Sequence, residues 1–479
     1  MLKYLETFFV FMKPAFTRSK TFNWFIIVII GSILKTDNYG VSSLIRSLNL
    51  DYKFYNSLLN FFHSTAYSIK SLMNLWQLWV FKSDLSVTIN KRKILIGDHT
   101  YIPKDGQKMP GVVAIHQTSE TSSKPSYFRG HFWGGISLLV NISNKVLSIP
   151  LIMKIHQGLN RKKPKKKKSL KKNSLTSIIL MAIDIVKNTN MKSYLILDGF
   201  FASGNSFLIA AKHKCNESSE QLLHLIIRAK KNVVAYLSLE SKIKEHPRKG
   251  RPKKYGEKLN LLSLFDLRHE EFISAKVNVY GKIEDITFLC LDLIWKPFKN
   301  KIRFVLANTS RGKIILMSSD LLLEPINIIE LYCYRMTIET MFSAFKNIIY
   351  GFSYHFWSKF SNKKNRIPSK KNNAYIEDST NSKKTYQKII AIEKFVNLHV
   401  IAIGLLQLIS IQFQNLIWSN SNCWLRTFSS AIPSIFMTKI AFTNLMKNYF
   451  NIIVKNPIID LIINKQSKFL YNNDSNNSA

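Results

Sequence analysis

Six residues of this chain have types and spacings suited to phosphoryl chemistry. Tyr332, Arg335, Glu339 and Lys346 follow one another at steps of 3, 4 and 7, so on a helix turning 100° per residue all four project within roughly 60° of one another. Asp98 and Asp198 each close a run of Ile and Leu, in KILIGD and YLILD, where a buried strand meets its loop. A carboxylate flanked along one helical line by Arg, Lys and Tyr could ligate a metal while its neighbours hold phosphate. The same spacing also describes a solvated rim with i,i+4 pairing, and a lone Asp at a strand end is commonly a turn cap. Together, two strand-end aspartates and a cation-flanked Glu make a three-carboxylate set. Three carboxylates converging in a basic protein can hold two hard divalent ions about 3.5–4 Å apart, one activating a water or hydroxyl and one stabilising the leaving oxygen of a phosphodiester. Without such ions the three charges would repel each other and the substrate.

The helix that must carry the stripe reads from Glu324 to Gly351. Pro325 suits a first helical position, Gly351 suits a stop, and no residue between them is a helix breaker. Ile338, Met341, Phe342, Phe345, Ile348 and Ile349 form a second stripe about 120° wide, which predicts a core-facing side. Upstream, residues 1–90 read as aromatic-rich helices with interleaved Lys and Arg. They form either a DNA-presenting module or a helical packing domain, and they contain no clear helix-turn-helix signature. From Lys91 the period changes to that of strands: KILIGDHTYIP, VVAIHQ and HFWGGISLLVNI predict an antiparallel meander. Nine basic residues lie between Arg161 and Lys172, a run that predicts a solvated loop or a non-specific contact to DNA backbone. A helix over Leu175 to Asn188 precedes the strand ending in Asp198. Short strands fill Arg228 to Asp320, a lysine-rich polar link follows, and a long apolar helix is expected over Tyr386 to Ile417.

The charge balance narrows the class. The 479 residues carry 69 Lys and Arg against 29 Asp and Glu, a formal charge of +40, with 46% hydrophobic residues. This is a globular chain with a polyanionic partner, nucleic acid first and anionic membrane second. The 4 cysteines (Cys215, Cys290, Cys333 and Cys423) form no CxxC or Cys/His cluster, which argues against a disulfide framework or structural zinc and for a reducing compartment. Phe22 to Leu34 is too short to cross about 30 Å of hydrocarbon. Val396 to Phe413 is interrupted by His399, Gln407 and Gln412, which predicts a buried helix rather than a membrane span.

The spacing from Tyr332 through Arg335 and Glu339 to Lys346 resembles the Tyr-Arg-Glu-Lys signature of DDE transposases in the branch typified by insertion-sequence family four. LILDGFF resembles the block around that family's second Asp and ILIGDHTYIPK the block around its first. MSSDLLLEPINIIELYCYRMTIE is similar to the run leading into its signature helix. One departure is Met336, where relatives often have Trp. The likeness covers about residues 90–357 and implies an α/β fold: an RNase H-like catalytic core with a β-rich insert, flanked by N-terminal and C-terminal helical regions. The expected domains are then 1–90 (helical, DNA binding), 91–227 (first part of the core), 228–320 (insert), 321–359 (last part of the core, with the signature helix), 360–382 (polar linker) and 383–479 (helical). The resemblance implies that Asp98, Asp198 and Glu339 are the catalytic, metal-binding triad and that Tyr332, Arg335 and Lys346 grip DNA phosphates near the cleaved end. It also implies two Mg2+ ions, with Mn2+ as a substitute. The expected reaction is cleavage of element ends and strand transfer through the freed 3′-hydroxyl, with no covalent enzyme intermediate. The expected setting is cytoplasmic and nucleoid-associated, on DNA, as a homodimer and away from membrane.

Several further residues invite a reading. Arg248, Lys249, Gly250, Arg251 and Pro252 resemble an AT-hook with its first Arg replaced by Lys. With Lys253 and Lys254, this loop is a candidate minor-groove or backbone contact. His99 and His116 read as structural rather than metal-ligating. Trp133 and Trp295 read as core, with stacking on an unpaired base as the alternative, and Asp292 reads as structural. Two other functions fit the same residues: a DNA-binding protein descended from a transposase that no longer catalyses, and an RNase H-like nuclease that hydrolyses without joining.

Overall fold

A computed structural model of the chain describes residues 1–104, 106–116, 127–142, 145–156, 174–215, 220–239, 254–359, 379–424, 432–452 and 455–467. Five helices open it: α1 (Leu2–Met12), α2 (Ser19–Leu34), α3 (Val41–Ser47), α4 (Tyr55–His63) and α5 (Ile69–Lys82). Strands β1 (Thr88–Ile89), β2 (Arg92–Pro103), β3 (Val113–His116), β4 (Tyr127–Ile142) and β5 (Lys145–Ile155) follow, then α6 (Ser174–Thr189), β6 (Ser193–Leu197), α7 (Gly204–Ala211) and β7 (Leu223–Arg228). Next come β8 (Val234–Tyr236), β9 (Lys258–Asn260), α8 (Leu264–Leu267), β10 (Ile273–Val279), β11 (Lys282–Trp295), β12 (Asn300–Thr309) and β13 (Gly312–Ser318). Helices α9 (Pro325–Cys333), α10 (Thr337–Asn347), α11 (Ser379–Gln412), α12 (Gln414–Asn420), α13 (Ile435–Asn451) and α14 (Pro457–Ile463) complete the described chain.

The strands join in one 13-stranded sheet. Within it β5, β4 and β2 are antiparallel, with β5 at an edge, and β6 and β7 run parallel to β2. This is the RNase H-like arrangement. β13 pairs antiparallel with β7, and β12, β11 and β10 follow in turn, so the β-rich insert extends the core sheet. The parallel strands read as unbroken apolar runs because both faces are covered: β6 is buried along its whole length.

The meander differs from the sequence reading. VVAIHQ contributes only a short edge strand at the end of β4, and the principal partner of β4 beyond β2 is β5, which the sequence reading left out. The free edge of β5 is covered by α11. Asn397 accepts from the Met153 N–H at 3.0 Å and donates to its carbonyl at 2.8 Å. Glu393 accepts from the Ile155 N–H at 3.1 Å, and Gln407 donates to the Ser148 carbonyl at 3.0 Å. These polar side chains of α11 satisfy strand groups that would otherwise template aggregation. Lys384–Gln412 is long and apolar enough to cross a membrane, but its most apolar 18-residue stretch is 89% buried within the protein. The apolar run in α2 packs against α11 in the same helical layer.

Candidate active site

Asp98 and Asp198 occupy matching heights on neighbouring parallel strands. Ile96 on β2 pairs with Ile196 on β6, and the same offset two residues on sets Asp98 level with Asp198. Asp198 does end its strand. Asp98 does not: β2 continues to Pro103 because its antiparallel partner β4 runs on beside it, with Asp98 opposite Gly135. Paired residues point to the same face, so Gly135 leaves a gap beside Asp98, and Phe342 of α10 fills it. A Cβ at Gly135 would lie 3.0 Å from the Phe342 ring. On the opposite face, Gly97 makes room for Ile178 of α6.

The expected single helix over Glu324 to Gly351 is two helices, separated by a 3₁₀ turn at Tyr334–Met336. Pro325 is the first helical residue as predicted. The stop differs: Tyr350 takes the left-handed conformation at φ 51°, and the Gly351 N–H closes back on the Phe345 carbonyl at 2.8 Å. A side chain at Gly351 would strike the Phe345 ring. Of the apolar stripe, Ile338, Met341, Phe342, Phe345 and Ile349 are buried.

The break keeps the polar stripe facing the strands. Tyr332 on α9 is buried, and its hydroxyl makes a long contact of 3.5 Å to Asp198. Arg335 in the turn donates from Nη1 to Asp98 at 3.1 Å and from Nη2 to Glu339 at 2.8 Å. The network therefore brings together Asp98, Asp198, Glu339, Tyr332 and Arg335. Lys346 is half-buried without a hydrogen bond or ion pair among the described residues, and burial lowers its pKa. Lys254 is exposed ahead of β9. Arg248, Lys249, Arg251 and Lys253, the basic run from Arg161 to Lys172 and the His116 side chain lie outside the described residues.

Burial dominates the electrostatics of the site. Burial pushes the Asp98 carboxyl up to about 6, and the charges of Asp198 and Glu339 push the same way against Arg335 and the His99 N–H, which donates at 2.7 Å. Burial raises the Tyr332 hydroxyl to about 12. Among the described residues, no three His, Cys, Asp or Glu side chains stand close enough together to hold a metal ion. The cation between Asp98 and Glu339 is Arg335. The donor set itself consists of carboxylate oxygens, which suits a hard divalent ion, and the Asp98 carboxyl is raised chiefly by its burial, to which the charges of Asp198 and Glu339 add.

Other candidates resolve simply. The His99 ring packs on Phe132, His156 and Phe201, with centroids 4.4, 4.7 and 4.7 Å away. Trp133 and Trp295 are core residues. Asp292 pairs with Arg303 at 2.9 Å. Sequence reasoning missed Tyr101, whose hydroxyl the Asp98 charge raises after burial, and Gly135. The Gly-Gly pair at 134–135 within a strand was the available signal for close approach.

A model of the DDE superfamily endonucleases matches residues 12–271, which include both strand aspartates. A model of the transposase DDE domain matches residues 191–367, which include Asp198 and Glu339. No curated protein matches the sequence. With one family model spanning more than half of its residues and the second continuing through the signature helix, the chain belongs to the DDE superfamily endonucleases and carries a transposase DDE domain.

Proposed function

We propose that the protein is a DNA transposase of the Tyr-Arg-Glu-Lys branch that cuts the ends of its element and joins them to new DNA. The observation that carries this reading is the placement of Asp98 beside Asp198 on neighbouring parallel strands, with Asp98 tied through Arg335 to Glu339. Asp98, Asp198 and Glu339 would hold divalent ions, Mg2+ or in substitution Mn2+. A bound ion supplies Lewis acidity and a low-pKa water. Arg335 and Tyr332 hold the carboxylates now, and in the DNA complex the Arg335 fork turns to phosphate oxygens, which it matches in geometry. Lys346, half-buried and without an ion pair among the described residues, would add an ammonium for phosphate. Water oxygen bonds to the scissile phosphorus as the bond to the 3′ oxygen breaks, freeing a 3′-hydroxyl. The oxygen of that hydroxyl bonds to the phosphorus of a second phosphodiester as the bond from that phosphorus to its own 3′ oxygen breaks, the proton passing to the released 3′ oxygen, and no enzyme–DNA bond forms. The helices of 1–90 and the lysine-rich loop at 248–254 would contact DNA, with two copies of the chain in the complex. The location would be cytoplasmic, at the nucleoid.

The test uses DNA carrying the boundaries that flank the gene. Wild type is expected to cut and join these ends in Mg2+, whereas Asp198→Ala binds them but does neither. Cutting by Asp198→Ala would overturn the assignment. Cutting without joining by wild type would favour a hydrolytic nuclease.

A further inference from the structure

The far end of α10 is held by two lysines from opposite ends of the chain. Lys35, at the end of α2, is wholly buried. Its ammonium donates to the Tyr350 carbonyl at 3.0 Å and to the Ser353 hydroxyl at 3.1 Å. Lys439, on α13, donates to the Ile348 carbonyl at 2.6 Å and to the backbone carbonyl of Lys35 itself at 2.7 Å. Neither makes an ion pair with a carboxylate among the described residues. Lys35 lies 5.2 Å from the centre of the Phe395 ring and Lys439 lies 5.6 Å from that of Tyr350.

Burying the Lys35 amino group, which has no ion pair among the described residues, is costly, and a Met of similar length would fill its space more cheaply; Lys439 is half-buried. The carbonyls at a helix C-terminus form the negative pole of its dipole, and these amino groups donate just there, while burial lowers the pKa of both, that of Lys439 to about 8. At the other end of α10, Ser148 of β5 donates to the Thr337 carbonyl at 3.0 Å. The helix is thus pinned at both ends, and Glu339 lies in its first turn.

We infer that Lys35 and Lys439 are positioning residues for the DNA reaction: by clamping Ile348 and Tyr350 they set the axial placement of α10, and so of Glu339 and Arg335 against Asp98. The inference rests on the cleavage reading above. It gives the helices outside the sheet a task at the active site beyond packing or DNA contact.

The test compares full-length Lys439→Met, Lys35→Met, Lys439→Arg and Lys35→Arg with wild type, below the melting point of each. Amide exchange is followed in peptides from 337–354 and from 93–103, and single-turnover cleavage of end DNA is followed in Mg2+. In the Met variants, exchange over 337–354 is expected to rise about tenfold while 93–103 stays unchanged. Single-turnover cleavage is expected to fall on the order of 10- to 100-fold, the scale of a misplacement near 1 Å, with the DNA dissociation constant within about twofold of wild type. The Arg variants, which keep the donor and the charge, should recover most of the rate. Unchanged exchange over 337–354, or a wild-type rate in a folded Met variant, would overturn the inference. If Lys35→Met does not fold, Lys439→Met decides it alone. If wild type itself does not cut, the reading of the site falls, and exchange still decides the clamp.

Discussion

Arg335 donates to Asp98 at 3.1 Å across 237 positions of sequence, with both side chains mostly shielded from solvent. Its other arm holds Glu339, so one guanidinium neutralises two members of a three-carboxylate site. Arg335→Gln removes that charge and leaves the acids facing one another. The metal-free variant should be less stable by on the order of 1–3 kcal/mol, and Mg2+ or Ca2+ should raise its melting temperature more than that of wild type. Thermal melts with and without metal check this. An equal metal response in the two proteins would mean that Asp98, Asp198 and Glu339 do not share an ion.

Gly135 sets how closely α10 approaches the sheet. An added Cβ would stand 3.0 Å from the Phe342 ring, tight enough that the ring or the helix must give way. Gly135→Val should cost about 1–3 kcal/mol by overpacking and lower cleavage by about 100-fold through displacement of Glu339, with DNA affinity retained. Phe342→Leu combined with Gly135→Ala should recover activity relative to Gly135→Ala alone. Single-turnover rates and binding isotherms separate the two effects. A fully active Gly135→Val would show that the approach of α10 is not what places Glu339.

Much of the fold was legible because burial on both faces of a parallel sheet leaves unmixed apolar runs, as in YLIL before Asp198 and ILI before Asp98. What escaped has local causes. β5 contains Pro150, which argues against a central strand. It is tolerated because β5 is an edge strand that bulges at Leu151, next to Pro150, and the Pro150 carbonyl accepts from the Trp76 indole at 2.9 Å. The break between α9 and α10 has no Gly or Pro to announce it. There the Thr337 hydroxyl donates back to the Tyr334 carbonyl at 2.8 Å, a local bond that competes with helical hydrogen bonding and bends helices. Angular spacing placed Tyr332, Arg335, Glu339 and Lys346 on one side; contacts to the carboxylates involve the first three, and Lys346 has none among the described residues. Spacing cannot tell whether an inward Arg meets carboxylate or phosphate, since both offer oxygen pairs to its fork.

Asn397 offers a test of α11 as a cover for the β5 edge. Its amide satisfies both backbone groups of Met153, and it is wholly buried. Asn397→Leu leaves a buried N–H and a buried carbonyl unpaired, at about 1–3 kcal/mol each, so the variant should lose on the order of 2–5 kcal/mol in chemical denaturation. It should also gain a tendency to aggregate through the exposed edge. A stable, monodisperse Asn397→Leu would show that the edge needs no such partner.

His63 gives the stability curve an acid limb. Burial, with the nearby charges of Lys388 and Lys394, pushes its imidazole down to about 4, and the Lys388 ammonium lies 3.1 Å from Nε2, which suits a neutral ring accepting from it. In the unfolded chain a His titrates near about 6.5. Between these two values the unfolded state binds a proton that the folded state refuses, so stability rises with pH across that window. The contribution is complete above the unfolded value and is lost as pH falls from about 6.5 through about 4. His63→Gln retains an oxygen that can accept from Lys388 but cannot titrate. Its melting temperature should therefore fall less steeply than that of wild type between pH values of roughly 6.5 and 4, and should track wild type above that range. Parallel curves across the whole range would show that His63 is not held neutral in the folded protein.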